Sequence, residues 1–340
     1  MSSKEDPIAM AAEAFLALVP KGPLAGEVVP LQSSLHRVLA VDVDATIDDP
    51  PYSRSIMEGY VVLTSDASAA SPARPVNLEI AGEIPVGSGE AGALKSGKAL
   101  GVTTGSYIPE GDYSVVKGWD VKKNENRIQL TRPLSRHENI EIGGGERKKG
   151  SLLLPKGRRI GASDLFLLAS QAVLQVTAAR RPKVAIFSSG NEVIPPTEPF
   201  KIGSIWDCNS YGLAGLVQEA GGAPFLKGIV KDDFDLFLKK IKEAMEEADM
   251  ILISGGTAIG GKDFTVELVN AAGAPGAVVK GVPMRSGKPI VLGVAGVKPI
   301  VCVAGHPPEA ARGFTLFGKA AVGRLLGESE ESKERGPASK

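Results

Sequence analysis

The sequence predicts a multidomain protein of the α/β plus β class. It has a parallel-sheet α/β module in its C-terminal half, a β-rich module before it, and a linker region that carries an N-terminal helix. Three observations predict this. From Lys183 onward, short apolar runs alternate with helical periodicity, the pattern of a parallel sheet with right-handed crossovers. Between about Val62 and Arg136 the apolar runs are short and cut by Gly, Pro and Asn, which reads as strands without a long helix. The 340 residues suffice for two or three domains, and a hydrophobic content of 43% supplies their cores.

Residues 4–19 read as a helix, because Ile8, Ala12, Phe15 and Val19 share one face and Pro20 and Gly22 end it. Residues 48–62 begin extended at two prolines, then carry Ser53, Arg54, Ser55 and Glu58 to a turn at Gly59 and a strand at Tyr60–Leu63. This segment is either a polar loop between domains or a loop that bears an acid into a cleft. Thr103, Thr104 and Gly105 end one run of the β-rich module. The glycine and charge-rich stretch 143–151 reads as a boundary. The expected parts are therefore residues 1–45 with 145–180 as helix and linker, 46–144 as the β-rich module, 181–326 as the α/β module, and 327–340 as a disordered tail.

Residues 163–173 form a short helix capped by Ser163 or Asp164. Beyond Pro182 the expected order is strand 183–187, helix 209–220, strand 225–230 and helix 232–248. Strand 250–253 follows, then a glycine stretch, helix 263–272, strand 299–303 and helix 308–326. In helix 232–248, Phe234, Phe237, Leu238, Ile241 and Met245 lie on one side.

In an open parallel sheet, ligands bind beyond the carboxyl ends of the strands. Three such ends carry unusual residues: SSGNE with Ser189, Gly190 and Glu192; SGGTAIGGKD from Ser254 to Asp263; and AGHPPE with Gly305, His306 and Pro307. GSIWDCN, with Asp207, leads into the first helix on the same side. Gly255, Gly256, Gly260 and Gly261 allow backbone angles closed to other residues, and turn amides beside a helix start attract anions. Two readings of this turn stand. It is a tight βα turn capped by Asp263, or it is an anion site where Asp263 holds a divalent metal that bridges to phosphate. Asp207, Glu192 and Asp263 can converge on one divalent cation with oxygen ligands, as magnesium prefers. Arg285 and Lys288 can meet an anion. Each also has a plainer role, Asp207 as a helix cap, Glu192 as a surface charge and Lys288 in a hairpin turn.

Composition excludes several classes. With 39 basic and 39 acidic residues the net charge is zero, which argues against broad nucleic-acid binding. No apolar run approaches the length of a membrane span. Two cysteines make neither a disulfide framework nor a zinc site, and three scattered histidines make no multi-histidine site, so a cytoplasmic protein is expected.

The ordered set SRSIMEGYVV, VAIFSSGNEV, GSIWDCN, ADMILISGGTAIGGKDF and VPMRSGKP…VAGHP resembles molybdopterin molybdenumtransferase, the MoeA and gephyrin E-domain type of molybdenum insertase. The likeness runs from about Met10 to Gly327, and residues 183–325 also resemble the fold shared with molybdopterin adenylyltransferases. It implies an elongated homodimer that takes adenylylated molybdopterin and molybdate or tungstate, releases AMP with Mg²⁺, and leaves molybdenum on the dithiolene. A molybdopterin adenylyltransferase and an apo-molybdoenzyme are the implied protein partners. The resemblance gives catalytic roles to Asp207, Asp263, Glu58 and Lys288, and metal ligation to Glu192, Asp207 and Asp263. It assigns ligand binding to Thr104, Ser189, Gly190, Glu192, Ser254, Gly255, Gly256, Thr257, Gly260, Arg285, Gly305 and Pro307. The sequence departs from the family at Glu58 for an aspartate, Arg147 for an aspartate, Asn191 for an acid, and His306 for an asparagine. The family usually carries a β-type domain after the α/β module, and the expectation here is a polar tail in its place. Two alternatives stand beside the insertase: a paralogue that binds molybdopterin without inserting metal, and a nucleotidyltransferase.

Overall fold

The computed structural model describes residues 6–92, 94–255, 264–284 and 289–329. They fall into two compact units, Val43–Leu154 and a discontinuous one made of Met1–Asp42 with Pro155–Lys340.

The first unit is built on strands β1 (Gly59–Leu63), β2 (Val76–Ile84), β3 (Lys98–Val102), β4 (Tyr113–Lys117), β5 (Lys122–Asn124) and β6 (Arg127–Leu130). They form one sheet in the order β4-β1-β3-β2-β6-β5. Its pairs are antiparallel except β2 with β3. Both faces are apolar: Val61 packs with Ile84, Val102 and Val115, whereas its neighbour Val62 packs with Leu78, Val116 and Ile128. Strand β1 starts on glycine for a steric reason, since a Cβ at Gly59 would lie 2.0 Å from the Val116 carbonyl oxygen.

The second unit holds strands β7 (Lys183–Ser189), β8 (Ala223–Val230), β9 (Met250–Ser254), β10 (Pro275–Lys280), β11 (Val291–Ala295) and β12 (Lys298–Val303). Its helices are α1 (Pro7–Leu16), α2 (Ala162–Ser170), α3 (Asn209–Glu219), α4 (Phe234–Glu247), α5 (Phe264–Ala272) and α6 (Pro307–Gly313). The last continues through a π-helical turn at Phe314–Gly318 into α7 (Lys319–Leu326). The sheet order is β8-β7-β9-β12-β11-β10. The expected parallel sheet is present across β8, β7, β9 and β12, but β11 runs antiparallel to both its neighbours, β12 and β10. The cause is the two-residue turn Gly296–Val297, in which Gly296 takes a φ of 62°. A connection that short can return only as a hairpin, and it divides what reads in sequence as one apolar stretch.

Alternation along the buried strands covers both faces. Val184, Ile186, Leu252 and Val301 face a core that includes Leu213 and Val217 of α3, Phe317, and Phe15 of α1. Ala185, Phe187, Ile251 and Ile253 face Phe237, Ile241 and Ala244 of α4 and Leu268 and Val269 of α5. The buried residues of α4 recur at the expected helical spacing, and Asp233 caps it by accepting from the Leu236 N–H at 2.9 Å. Helix α1 is shorter than predicted because Asp6 caps it, with Oδ1 accepting from the Ile8 N–H at 3.0 Å and Pro7 at its first position.

Beyond Gly327, Glu328 is held by an ionic rather than an apolar anchor. Its carboxylate accepts from Arg159 Nε at 2.7 Å and Nη2 at 2.9 Å. The remainder of the predicted tail, 330–340, lies outside the described residues. Among the described residues no helix is long and apolar enough to cross a membrane.

A bidentate pair closes the start of the sheet: Arg180 donates to both oxygens of Asp249, each at 2.9 Å, and the Lys183 N–H donates to the same carboxylate at 2.7 Å. Burial alone would raise the Asp249 pKa, but the Arg180 and Lys183 hydrogen bonds outweigh it and hold it below the usual range. A lowered folded-state pKa gives stability above the unfolded value of about 3.9 that is lost as pH falls through the folded value. Asp249→Asn is therefore expected to cost about 1–2 kcal/mol at pH 7. The gap from wild type should close as urea midpoints are measured below about pH 4.

Candidate active site

The carboxyl ends of β7, β9 and β12 open onto one cavity of 610 Å³. The end of β7 and the turn after it contribute Ser189, Gly190 and Glu192; the end of β9 and the residue after it contribute Ser254 and Gly255; the segment after β12 contributes Gly305, His306 and Pro307. The segment leading into α3 adds Trp206, Asp207, Cys208 and Asn209. The structure thus brings together eight of the sequence-predicted residues from four stretches of chain.

Two glycines are dictated by backbone conformation, and Gly255 by space as well. Gly190 has a φ of 146°, and a Cβ there would lie 2.8 Å from the Glu192 carboxylate, which folds back over it. Gly255 has a φ of 90°, and a Cβ would lie 2.5 Å from the Ser189 carbonyl oxygen. The ends of β7 and β9 therefore approach backbone to backbone.

Asp207 is only 6% exposed. Its Oδ1 accepts from the Ser188 hydroxyl at 2.8 Å and from the Ser210 N–H at 3.1 Å, and its Oδ2 accepts from the Ser210 hydroxyl. Three of its four lone-pair positions are committed to the fold, and one of those bonds caps the start of α3. Asn209 is the clasp of the site. Its Nδ2 donates to Ser254 Oγ and to the Gly305 carbonyl, each at 2.7 Å, and so ties α3 to the ends of β9 and β12. Sequence reasoning quoted Asn209 within GSIWDCN without giving it a role, and it missed Asp232. Asp232 lines the same cavity, and its Oδ1 accepts from Ser189 Oγ at 3.4 Å. The signal available for Asp232 was its place directly after an apolar strand.

Glu192 is solvent-exposed on the cavity lining. Asn191 fastens the turn instead: its carbonyl oxygen accepts from Lys231 Nζ at 3.0 Å and its Oδ1 from the Asp232 N–H at 3.3 Å. His306 supplies the backbone carbonyl that accepts from the Glu309 and Ala310 N–H groups at the start of α6. Among the described residues no three His, Cys, Asp or Glu side chains come together as a metal cluster. Asp263, the third predicted metal ligand, lies outside the described residues, as do Gly256, Thr257, Gly260, Arg285 and Lys288.

Glu58 and Thr104 belong to the Val43–Leu154 unit. Glu58 lines a hollow of 460 Å³ there together with Thr103, and Thr104 is exposed in the turn after β3. Arg147 pairs with Asp49 of the same unit at 3.7 Å, so its charge is balanced locally.

Comparison with known proteins agrees with this geometry. Residues 7–172 match a family described as "MoeA N-terminal region (domain I and II)", and residues 185–324 match one described as "Probable molybdopterin binding domain". The chain is 33% identical over 291 residues to a molybdopterin molybdenumtransferase of Nostoc sp., covering 86% of this chain and 66% of that protein. It is 29% identical over 302 residues to one of Staphylococcus aureus, covering 89% and 72%. A crystal structure of the molybdopterin biosynthesis MoeA protein of Pyrococcus horikoshii superposes with a TM-score of 0.79 at 31% identity, covering 96% of this chain and 81% of that one. The chain thus spans about two thirds to three quarters of the length of these curated relatives. The doubly wound sheet with a ligand cavity at its carboxyl edge defines an α/β small-molecule-binding protein. Within that class, the chain belongs to the MoeA family of molybdopterin biosynthesis proteins.

Proposed function

We propose that the chain is a molybdenum insertase: it takes adenylylated molybdopterin and molybdate or tungstate, hydrolyses off AMP with Mg²⁺, and leaves molybdenum on the dithiolene. The observation that supports this most is the convergence of three strand ends on one cavity whose wall carries Glu192, Asp207 and Asp232. Oxygen donors are what magnesium prefers, and the Glu192 and Asp232 carboxylates would hold it. The ion would supply neutralisation of phosphoanhydride charge. In this reading Asp207 fixes the start of α3 and adds its negative charge to the cation site, Asn209 keeps the strand ends in register, and Gly190 and Gly255 admit the substrate's anionic part close to the main chain. The roles carried by Glu58, Thr104, Asp263, Arg285 and Lys288 belong to the same proposal. So do a homodimer, a molybdopterin adenylyltransferase and an apo-molybdoenzyme as partners, a cytoplasmic location, and the division into 46–144, 181–326 and a linker of 1–45 with 145–180.

The test mixes purified protein with adenylylated molybdopterin, molybdate and Mg²⁺ and follows AMP. Molybdate-dependent AMP release is expected, and Glu192→Gln should slow it roughly 100-fold. Tight binding with no release would instead support a carrier without insertion chemistry. That second reading is favoured by Asn191, which stands at an acidic position of the family pattern and serves the turn.

A further inference from the structure

We propose that Trp206 is the stacking platform for a planar heterocycle, the pterin or the adenine ring of the substrate, in the cavity at the carboxyl edge of the sheet. The proposal rests on the reading of that cavity as the substrate site and adds where its flat ring lies.

Four observations lead to Trp206. It lines the cavity yet remains 48% exposed. Its backbone is fixed: Ile205–Trp206 pairs in parallel with Val193–Ile194, and the flanking Asp207 N–H donates to the Ile194 carbonyl at 2.9 Å. Its ring is pinned twice, since Nε1–H donates to the Glu198 carbonyl at 2.9 Å and Phe200 packs against it at 5.5 Å between centroids, tilted by 59°. Val193 and Ile205 beside it extend the apolar wall, while Asp207, Asn209 and Ser254 place polar groups at the strand ends.

An indole whose N–H is already satisfied asks nothing polar of a ligand and offers a π-face. Because it is held before the ligand arrives, little side-chain entropy is lost on binding. The cavity is thereby divided by chemistry, with hydroxyl, amide and carboxylate groups at the strand ends for the charged part of a substrate, and an apolar aromatic wall for a flat ring. Stacking on an aromatic side chain is tolerant of ring identity, so pterin and adenine are both served by it.

The sequence makes the test clean. It has two tryptophans, and the other, Trp119, is exposed in the Val43–Leu154 unit. In Trp119→Phe protein, Trp206 is the remaining indole. Its fluorescence would be titrated with 6-hydroxymethylpterin, with AMP and with inorganic pyrophosphate, alongside calorimetry. Saturable quenching by 6-hydroxymethylpterin or AMP, and none by pyrophosphate, is expected; which one quenches names the ring. Trp206→Leu should weaken that ligand about tenfold, while Trp206→Phe should stay within about threefold of wild type. If a heterocycle binds by calorimetry without quenching and Trp206→Leu binds it equally well, the platform is overturned and the substrate site stands. If neither heterocycle binds, both fall.

Discussion

Asp207→Ala is expected to abolish AMP release and to cost about 3 kcal/mol of stability, the sum of a lost helix cap and of buried hydroxyls left without an acceptor. The carboxylate accepts from Ser188 and twice from Ser210, and it is nearly buried, so water replaces little of what is removed. Asp207→Asn separates structure from chemistry. The amide keeps one carbonyl oxygen, and a serine hydroxyl can rotate to accept from its NH₂, so the stability loss should fall to about 1 kcal/mol. AMP release should still be lost, because the negative charge is gone. Urea midpoints and an AMP assay on the two variants decide the matter. Wild-type release from Asp207→Asn would make the residue a cap and nothing more.

Gly255→Ala is expected to cost about 3 kcal/mol, because an L-residue at a φ of 90° is strained and the added methyl meets a backbone atom rather than a flexible side chain. The new Cβ would stand 2.5 Å from the Ser189 carbonyl oxygen, which lies at the carboxyl end of β7. Relief requires β7 and β9 to part where they form the cavity, so ligand binding should fall with stability. Gly296→Asn is the control. Gly296 also has a positive φ, 62°, but nothing lies within 4 Å of its Cβ position, and asparagine tolerates that conformation. It should cost under about 1 kcal/mol. Equal denaturation midpoints for the two variants would show that the Ser189 carbonyl yields without strain.

Much of the α/β unit was legible because its signals are local. Helix α4 announces itself by one apolar side and an aspartate at its start, and β7 and β9 by buried runs that end in Ser and Gly. The hairpin of β11 and β12 was not legible, because an apolar run divided by a two-residue turn has the same composition as a single strand with a loop. The site was legible as a set of strand ends, since the rule that ligands bind there needs only the order of elements. Its internal wiring was not. Asn209 meets Ser254 and Gly305 across separations of 45 and 96 positions, and no spacing in the chain encodes those contacts. Trp206 and Phe200 share this fate: six positions apart on an irregular segment, they have no periodicity that would pair them.

The discontinuity of the second unit bears on how the chain acquires its shape during synthesis. Phe15 of α1 is buried in a core that also holds Val322 and Leu325, and the Val19 carbonyl accepts from Arg324 Nε across 305 positions. The apolar face of helix α1 is therefore covered only after segments some 305 positions further along have been made. The contiguous Val43–Leu154 unit has no such wait and can fold while the remainder is still being made. During that interval the α1 face is an exposed apolar stripe, the surface that chaperones hold. The α/β unit is therefore expected to be completed after the Val43–Leu154 unit.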